Sequence, residues 1–344
     1  MIEPKAELSV DFEIIQSNIS YLKSLLREGA FMAIIKANAY GHSLEDFVKN
    51  LDDVVDGYGV VRLEEALTIR KNSAKPILLM QGLYNEEGFQ IASKNNLSIT
   101  IHHPSQLNLA KEFNSKLNLW IKFNTGMNRL GFEVDDSKKL IDFNQEENCL
   151  MSHLACADNP ADEMNSNQFA LFEKISESFN KTSKSILNSA GIINFPEYSF
   201  DWVRCGIAMY GGVPNEYLKT AMTFRSKVIS IRNLRKGERI GYGGRYIASE
   251  DKKIAVIYCG YADGYPQNAL DGTKILINSL ECSILGRVSM DLITVDITGL
   301  PNIKEGDWAT LWSPENSINL VSNYNDLISY ELMTKITNRV IKST

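Results

Sequence analysis

The sharpest chemical signal in the chain is a lysine closing an apolar run. In AIIKANAYGH, Lys36 directly follows the run FMAII, with small and turn-forming residues behind it. An amine at the end of a buried strand loses solvation, so its pKa falls and it becomes available for Schiff-base chemistry. A lysine snorkelling past the rim is the bland alternative for such a residue taken alone. Lys36 has company, however. Just past the further apolar runs stand Arg62, Gln81, His102, Lys122 with Asn124, His153, Ser189 and Arg204. A set this polar at the ends of apolar runs marks where a ligand would sit.

The runs that must position these residues are FMAII (31–35), YGVV (58–61), PILLM (76–80), LSITI (97–101), LNLWIKF (117–123), CLMSHLA (149–155), SILN (185–188) and FDWV (200–203). Continuous apolar runs are the signature of parallel strands buried on both faces. Helix-periodic or polar stretches such as RLEEALTIRK and SNQFALFEKISESF separate them. Eight such units predict an α/β fold beginning with a (β/α)8 TIM-type barrel over residues 1–222, with its chemistry at the C-terminal ends of the strands. A doubly wound open sheet is the alternative, but no GxGxxG follows the first run. Beyond residue 222 the texture changes to period-two alternation in FRSKVISIRNL, KKIAVIYCGYA, TKILINSLECSIL and LITVDITGL. This predicts a C-terminal, mainly β domain over 223–344, a partly closed barrel. NDLISYELMTKI reads as a closing helix.

Composition excludes several classes. A net charge of -6 argues against nucleic acid. No apolar run approaches the ~20 residues of a membrane span. The opening MIEPKAELSVDFEIIQ lacks a basic segment followed by an apolar one, so a cytoplasmic protein is expected. The five cysteines form no CxxC and the four histidines no ligand spacing, so no metal is expected.

The motifs KANAYGH, TGMNRLGF, NSAG, VRCGIAMYG, IGYGGRY, GYADGYP and GRVSMD occur in this order. Together they resemble the alanine racemases from about residue 6 to 340. The resemblance implies an N-terminal (β/α)8 barrel with a C-terminal β domain, pyridoxal 5'-phosphate as cofactor, and interconversion of L- and D-alanine by two-base proton transfer at Cα, which supplies D-alanine for peptidoglycan. Lys36 would carry the cofactor and serve as the base on one face, and Tyr242 as the base on the other. A phenol, with a reference pKa near ~10, needs a lowered pKa or transient assistance for that task. The resemblance also implies a homodimer in which the second subunit's β domain caps the first subunit's barrel and supplies Tyr242.

Further roles follow from the same resemblance. Arg204 would hydrogen-bond the pyridine nitrogen and leave it unprotonated. Tyr40, Ser189 and the backbone of Gly206 and Ile207 would hold the phosphate, and His153 would lie near the ring. Arg129 would contact the substrate carboxylate. Tyr261 and Met290, the latter through its backbone N–H, would do so from the partner subunit. Lys122 matches a lysine carbamylated in some members. The chain departs from the pattern at Asn338, where the family often has a phosphate-binding tyrosine, and in the short segment VPNEYLKT. A racemase for serine or a broader set of amino acids is the rival within the same chemistry, because pocket contacts are worth only ~1–3 kcal/mol per methylene. A catalytically silent cofactor-binding protein would lack residues 223–344. A decarboxylase of related fold would carry a carboxy-terminal cysteine and aspartate motif that is not found.

Overall fold

In the computed structural model the described residues are 3, 5–113 and 117–343. The chain divides into two compact units. Residues 16–209 form one; the segment up to Ile15 joins the residues from Tyr210 onward in the other.

Strand β1 (Ala6–Val10) opens the chain. The unit 16–209 then holds eight parallel strands: β2 (Ala30–Ile34), β3 (Gly57–Val60), β4 (Ile77–Leu79), β5 (Ser98–Ile101), β6 (Leu119–Lys122), β7 (Cys149–Met151), β8 (Ser183–Ser185) and β9 (Trp202–Cys205). They pair in the order β8-β7-β6-β5-β4-β3-β2-β9. Between β8 and β9 the Ser185 hydroxyl donates to Trp202 O at 2.7 Å and Arg204 N–H to Leu187 O at 3.1 Å. This is the TIM-type barrel expected from the apolar runs. Every residue of β3 to β7 is buried, which is why these strands read as unbroken apolar runs. One strand lies earlier than its apolar run suggested: β8 is SKS at 183–185, and Ile186 and Leu187 follow it as buried residues. Side chains cap the intervening helices in the usual way. Asn85 accepts from Gly88 N–H at 2.8 Å, Asp162 from Met164 N–H and Asn188 from Gly191 N–H, both at 2.9 Å.

The other unit contains β10 (Met222–Leu234), β11 (Arg239–Ile240), β12 (Tyr246–Ile247), β13 (Lys252–Ile257), β14 (Lys274–Ile277), β15 (Leu280–Ile284), β16 (Ile293–Asp296), β17 (Trp308–Trp312) and β18 (Ile341–Ser343). The order β13-β16-β15-β14-β17-β10 closes into a ring, because β10 also pairs with β13. β10 manages this by its length: it meets β17 through residues 224–227 and β13 through 228–234, with register shifts that bend it. The run TKILINSLECSIL is two strands, turned at Asn278 and Ser279, both at positive φ. Three strands of this sheet carry no signal read in the sequence: β1, antiparallel to β10 and parallel to β18, then β18 itself, and β17, antiparallel to β10. The closing helix is shorter than NDLISYELMTKI, at Ser329–Thr334, with Ile318–Tyr324 helical before it. Among the described residues no helix is long and apolar enough to cross a membrane, and no cluster of His, Cys, Asp or Glu could hold a metal ion.

Candidate active site

Lys36 leaves the end of β2 into a turn of uncommon hand. Ala37, Asn38, Ala39 and Tyr40 have φ of 52°, 55°, 53° and 54°, a left-handed turn built without glycine. Each such residue costs about 1–2 kcal/mol, so its neighbours must over-determine the backbone. Ala39 N–H donates to Ile35 O at 2.9 Å and Gly41 N–H to Ala37 O at 3.1 Å. Leu44 N–H donates to the Asn38 side chain at 2.9 Å, and Ala37 N–H to Glu65 Oε1 at 2.7 Å. Lost solvation lowers the Lys36 pKa; the Arg129 cation adds to this, and Glu65 opposes it.

The same charges converge on the next strand ends. Lys122, buried at the end of β6, has its amine pulled down to about 8, first by desolvation and then by Arg204, Arg129 and Lys36. His153 lies well below the ordinary imidazole value, again through desolvation first and then through Arg204, Lys122, Arg129 and Lys36. Its Nδ1 lies 3.4 Å from Arg204 Nη2. A guanidinium can only donate, so Nδ1 accepts and the ring proton sits on Nε2. Lys36, Lys122, Arg129, His153 and Arg204 are therefore one electrostatic cluster. It calls for a ligand with negative charge.

Arg204, on β9, is fixed from three sides. Nη1 donates to Ser185 Oγ, while Nη2 donates to Ser152 O at 2.5 Å and Ile186 O at 3.3 Å. Burial brings its pKa to about 10, which leaves it protonated at neutral pH. Its Nε is buried and finds no hydrogen-bond partner among the described residues. An orphaned buried donor is costly, so a ligand acceptor at that point would complete the group.

Tyr40, Ser189 and Gly206 also meet. A Cβ on Gly206 would lie 2.7 Å from the Tyr40 hydroxyl. Ser189 Oγ accepts from Gly206 N–H at 2.9 Å and from Ala208 N–H at 3.4 Å. The Gly206 amide is thus engaged by Ser189, and Ile207 behind it is buried at the start of a 3-10 turn. Arg129 rides on a loop that Asn124 ties down: the Asn124 side chain accepts from Gly126 N–H at 3.1 Å and Asn128 N–H at 3.0 Å, and donates to Glu133 at 3.1 Å. Gly131, at φ 137°, has no room for a Cβ, which would sit 2.4 Å from Asn124 N.

In the other unit, Tyr242 tops the β11–β12 hairpin and is 74% exposed. Leu234, Ile240, Ala248, Ile254 and Leu285 pack beneath the hairpin. Arg245 ties it to Gly286 O at 2.7 Å and Asp271 at 2.9 Å. Tyr261 and Met290 are neighbours: Tyr261 N–H donates to Ser289 O at 3.1 Å and Ala262 N–H to Met290 O at 3.0 Å. Both side chains are exposed, as is Asn338. Glu65, Ser152 and Ser185 carry supporting roles that no motif announced, and Arg245, inside IGYGGRY, carries one that the motif alone did not reveal. Glu65, three residues after Arg62 at a helix start, had a capping spacing that could have flagged it.

Comparison with known proteins adds a family to this geometry. Residues 10–214 match the family model "Alanine racemase, N-terminal domain", and residues 221–344 match "Alanine racemase, C-terminal domain". The chain is 36% identical to an alanine racemase of Coxiella burnetii over 98% of both proteins, and 38% identical to that of Vesicomyosocius okutanii over 97% of both. Among solved structures it is similar to alanine racemase from Acinetobacter baumannii, with a TM-score of 0.94, 32% identity and 99% of each chain covered. A second, from Bartonella henselae, is described as having covalently bound pyridoxal phosphate. There the TM-score is 0.89 at 26% identity, covering 98% of this chain and 99% of that one.

Proposed function

The chain belongs to the alanine racemase family, and on that premise we propose that it interconverts L- and D-alanine with Lys36 and Tyr242 as its two bases. The enzyme is a pyridoxal-phosphate-dependent racemase. The observation that carries the reading is the cluster of Lys36, Lys122, Arg129, His153 and Arg204 at the strand ends of one barrel. When bound, the cofactor supplies an electron sink that makes the Cα proton removable.

The residues present fit that group. The unpartnered Nε of Arg204 is the donor a pyridine nitrogen would accept from, and a neighbour that stays protonated at neutral pH would leave that nitrogen unprotonated. Tyr40, Ser189, Gly206 and Ile207 would hold the phosphate, and His153, neutral, would lie beside the ring. Lys36 would bond the cofactor; its lowered pKa favours the neutral amine that such a bond requires. Once released, Lys36 Nζ would take or return the Cα proton on one face, and the Tyr242 phenolic oxygen on the other. Arg129 would orient the substrate carboxylate together with Tyr261 and the Met290 N–H.

Exposure of 74% at Tyr242, 52% at Met290 and 38% at Tyr261 supports a homodimer in which these residues serve the barrel of a second copy. Lys122, with its amine near 8, has enough neutral form at neutral pH to be carbamylated. The sign is fixed: carbamylation takes the free amine, so its extent rises with pH through 8 and falls on acidification. Supply of D-alanine to peptidoglycan and a cytoplasmic location complete the proposal. Alanine specificity is the preferred reading over serine or a broader set, since the relatives share the alanine name.

Two outcomes test this. Purified protein loaded with pyridoxal phosphate should racemise L-alanine in a coupled D-alanine assay, and a panel of L-amino acids should show alanine first. Equal rates on serine would favour the broader reading, and no racemisation of any substrate would sink both. For the phosphate corner, Gly206→Ala places a methyl against the Tyr40 hydroxyl. Overpacking of that kind costs about 1–3 kcal/mol, or roughly a tenfold to hundredfold loss of cofactor affinity. An unchanged binding isotherm for pyridoxal phosphate would remove Gly206 from the cofactor site.

A further inference from the structure

Among the described residues Glu65 is the one carboxylate that bears on the amine of Lys36, and its bonds are unusual. Oε2 accepts from Val61 N–H at 3.2 Å and Arg62 N–H at 3.0 Å, which caps its own helix, Leu63–Arg70. Oε1 instead reaches to the preceding barrel unit and accepts from Ala37 N–H at 2.7 Å. Ala37 is the residue immediately after Lys36 and the first of the left-handed turn. One side chain therefore clamps the start of a strained segment to the next strand–helix junction.

We propose that Glu65 is a positioning residue for Lys36: its carboxylate fixes the backbone from which the lysine departs and supplies the negative charge that balances the cations around it. This rests on reading Lys36 as the cofactor lysine. An ionised carboxylate is acceptor-only at both oxygens, which suits the three amide donors that meet it. The groups facing the amine are Arg129, Lys122 and His153 besides Glu65, and Arg204 acts on Lys122 and His153. Arg129 pushes Lys36 toward its neutral form, and among the described residues Glu65 pushes back. Lys122, in the same cluster, feels Arg204, Arg129 and Lys36 but no carboxylate. It is thus a built-in control.

The sign of the expected change follows. Removing the Glu65 charge leaves less to stabilise the ammonium, so the Lys36 amine is freed at lower pH. Full-length chain stripped of cofactor would be treated with acetic anhydride across a pH series, and acetylation at Lys36 and Lys122 quantified by peptide mass spectrometry. Glu65→Gln should shift the Lys36 profile to lower pH, with several-fold faster acetylation at neutral pH, while the Lys122 profile stays in place or moves to higher pH as the neighbouring Lys36 charge is lost. Glu65→Asp should restore most of the Lys36 profile through its charge. Glu65→Gln should also slow capture of pyridoxal phosphate at Lys36, because the turn that aims the amine loses its clamp. An unmoved Lys36 profile, or equal movement of both lysines, would overturn the proposal, the second outcome marking general loosening of the barrel. Borohydride trapping in the wild-type protein separates the underlying reading: cofactor fixed at a lysine other than Lys36 would end that reading without altering the acetylation result.

Discussion

Lys36→Ala is expected to leave a folded chain that no longer retains pyridoxal phosphate through borohydride reduction and dialysis. Racemisation should fall by roughly 10³-fold or more, the scale of a lost general base compounded by the lost covalent anchor. The side chain is half-buried two residues beyond β2, and deleting it opens no core cavity, so the far-ultraviolet spectrum should be unchanged. A lysine adduct that persists in Lys36→Ala would move the anchor elsewhere, with Lys122 the first place to look.

The second large effect concerns Tyr242. Tyr242→Phe removes only a hydroxyl from a side chain that is 74% exposed and rests on a hairpin held from below by Ile240 and Leu285 and from the side by Arg245. Stability should therefore change by less than ~0.5 kcal/mol, as for surface substitutions generally. Turnover from L- to D-alanine should drop by roughly 10²–10⁴-fold, the usual worth of a positioned proton-transfer group. Exchange of the Cα proton of D-alanine with deuterated solvent, served by Lys36, should survive far better. Equal, mild losses in the two measurements would remove Tyr242 from the role of base. Mixing Tyr242→Phe with Lys36→Ala protein adds a direct test of shared sites: in a heterodimer one site regains both bases, so activity should reappear at up to a quarter of the wild-type level on random assortment.

Much of this architecture was legible before any coordinates. The barrel was readable because parallel strands buried on both faces must be apolar throughout, as β3 to β7 are. β8 was misplaced by two residues because SKS carries no apolar signal; its burial begins only at Ser185 and continues through Leu187. β17 was passed over because its partners lie more than thirty residues away in sequence, at 224–227 and 276–277. The convergence of Lys36, Lys122, His153 and Arg204 is readable from strand ends alone; Arg129, on a loop beyond β6, is reached only through the motif TGMNRLGF. The groups that hold them are not readable in this way. Ser152 and Ser185 hold Arg204 through hydrogen bonds across strands, and no spacing in one dimension encodes such a bond; for Glu65 the spacing shows the helix cap but not the bond from Ala37 N–H.

The pairing of β1 with β10 and β18 has a consequence for synthesis on the ribosome. The strand made first belongs to a sheet whose other members are made last, with all of 16–209 translated between them. At about 5–20 residues per second, Ala6–Val10 waits roughly 10–40 s for Met222 and its successors to emerge. The barrel can mature during that delay, while an unpaired AELSV segment needs shelter from misassociation with other nascent chains. A bulky amino-terminal fusion should therefore impair completion of the later sheet more than assembly of the adjoining barrel.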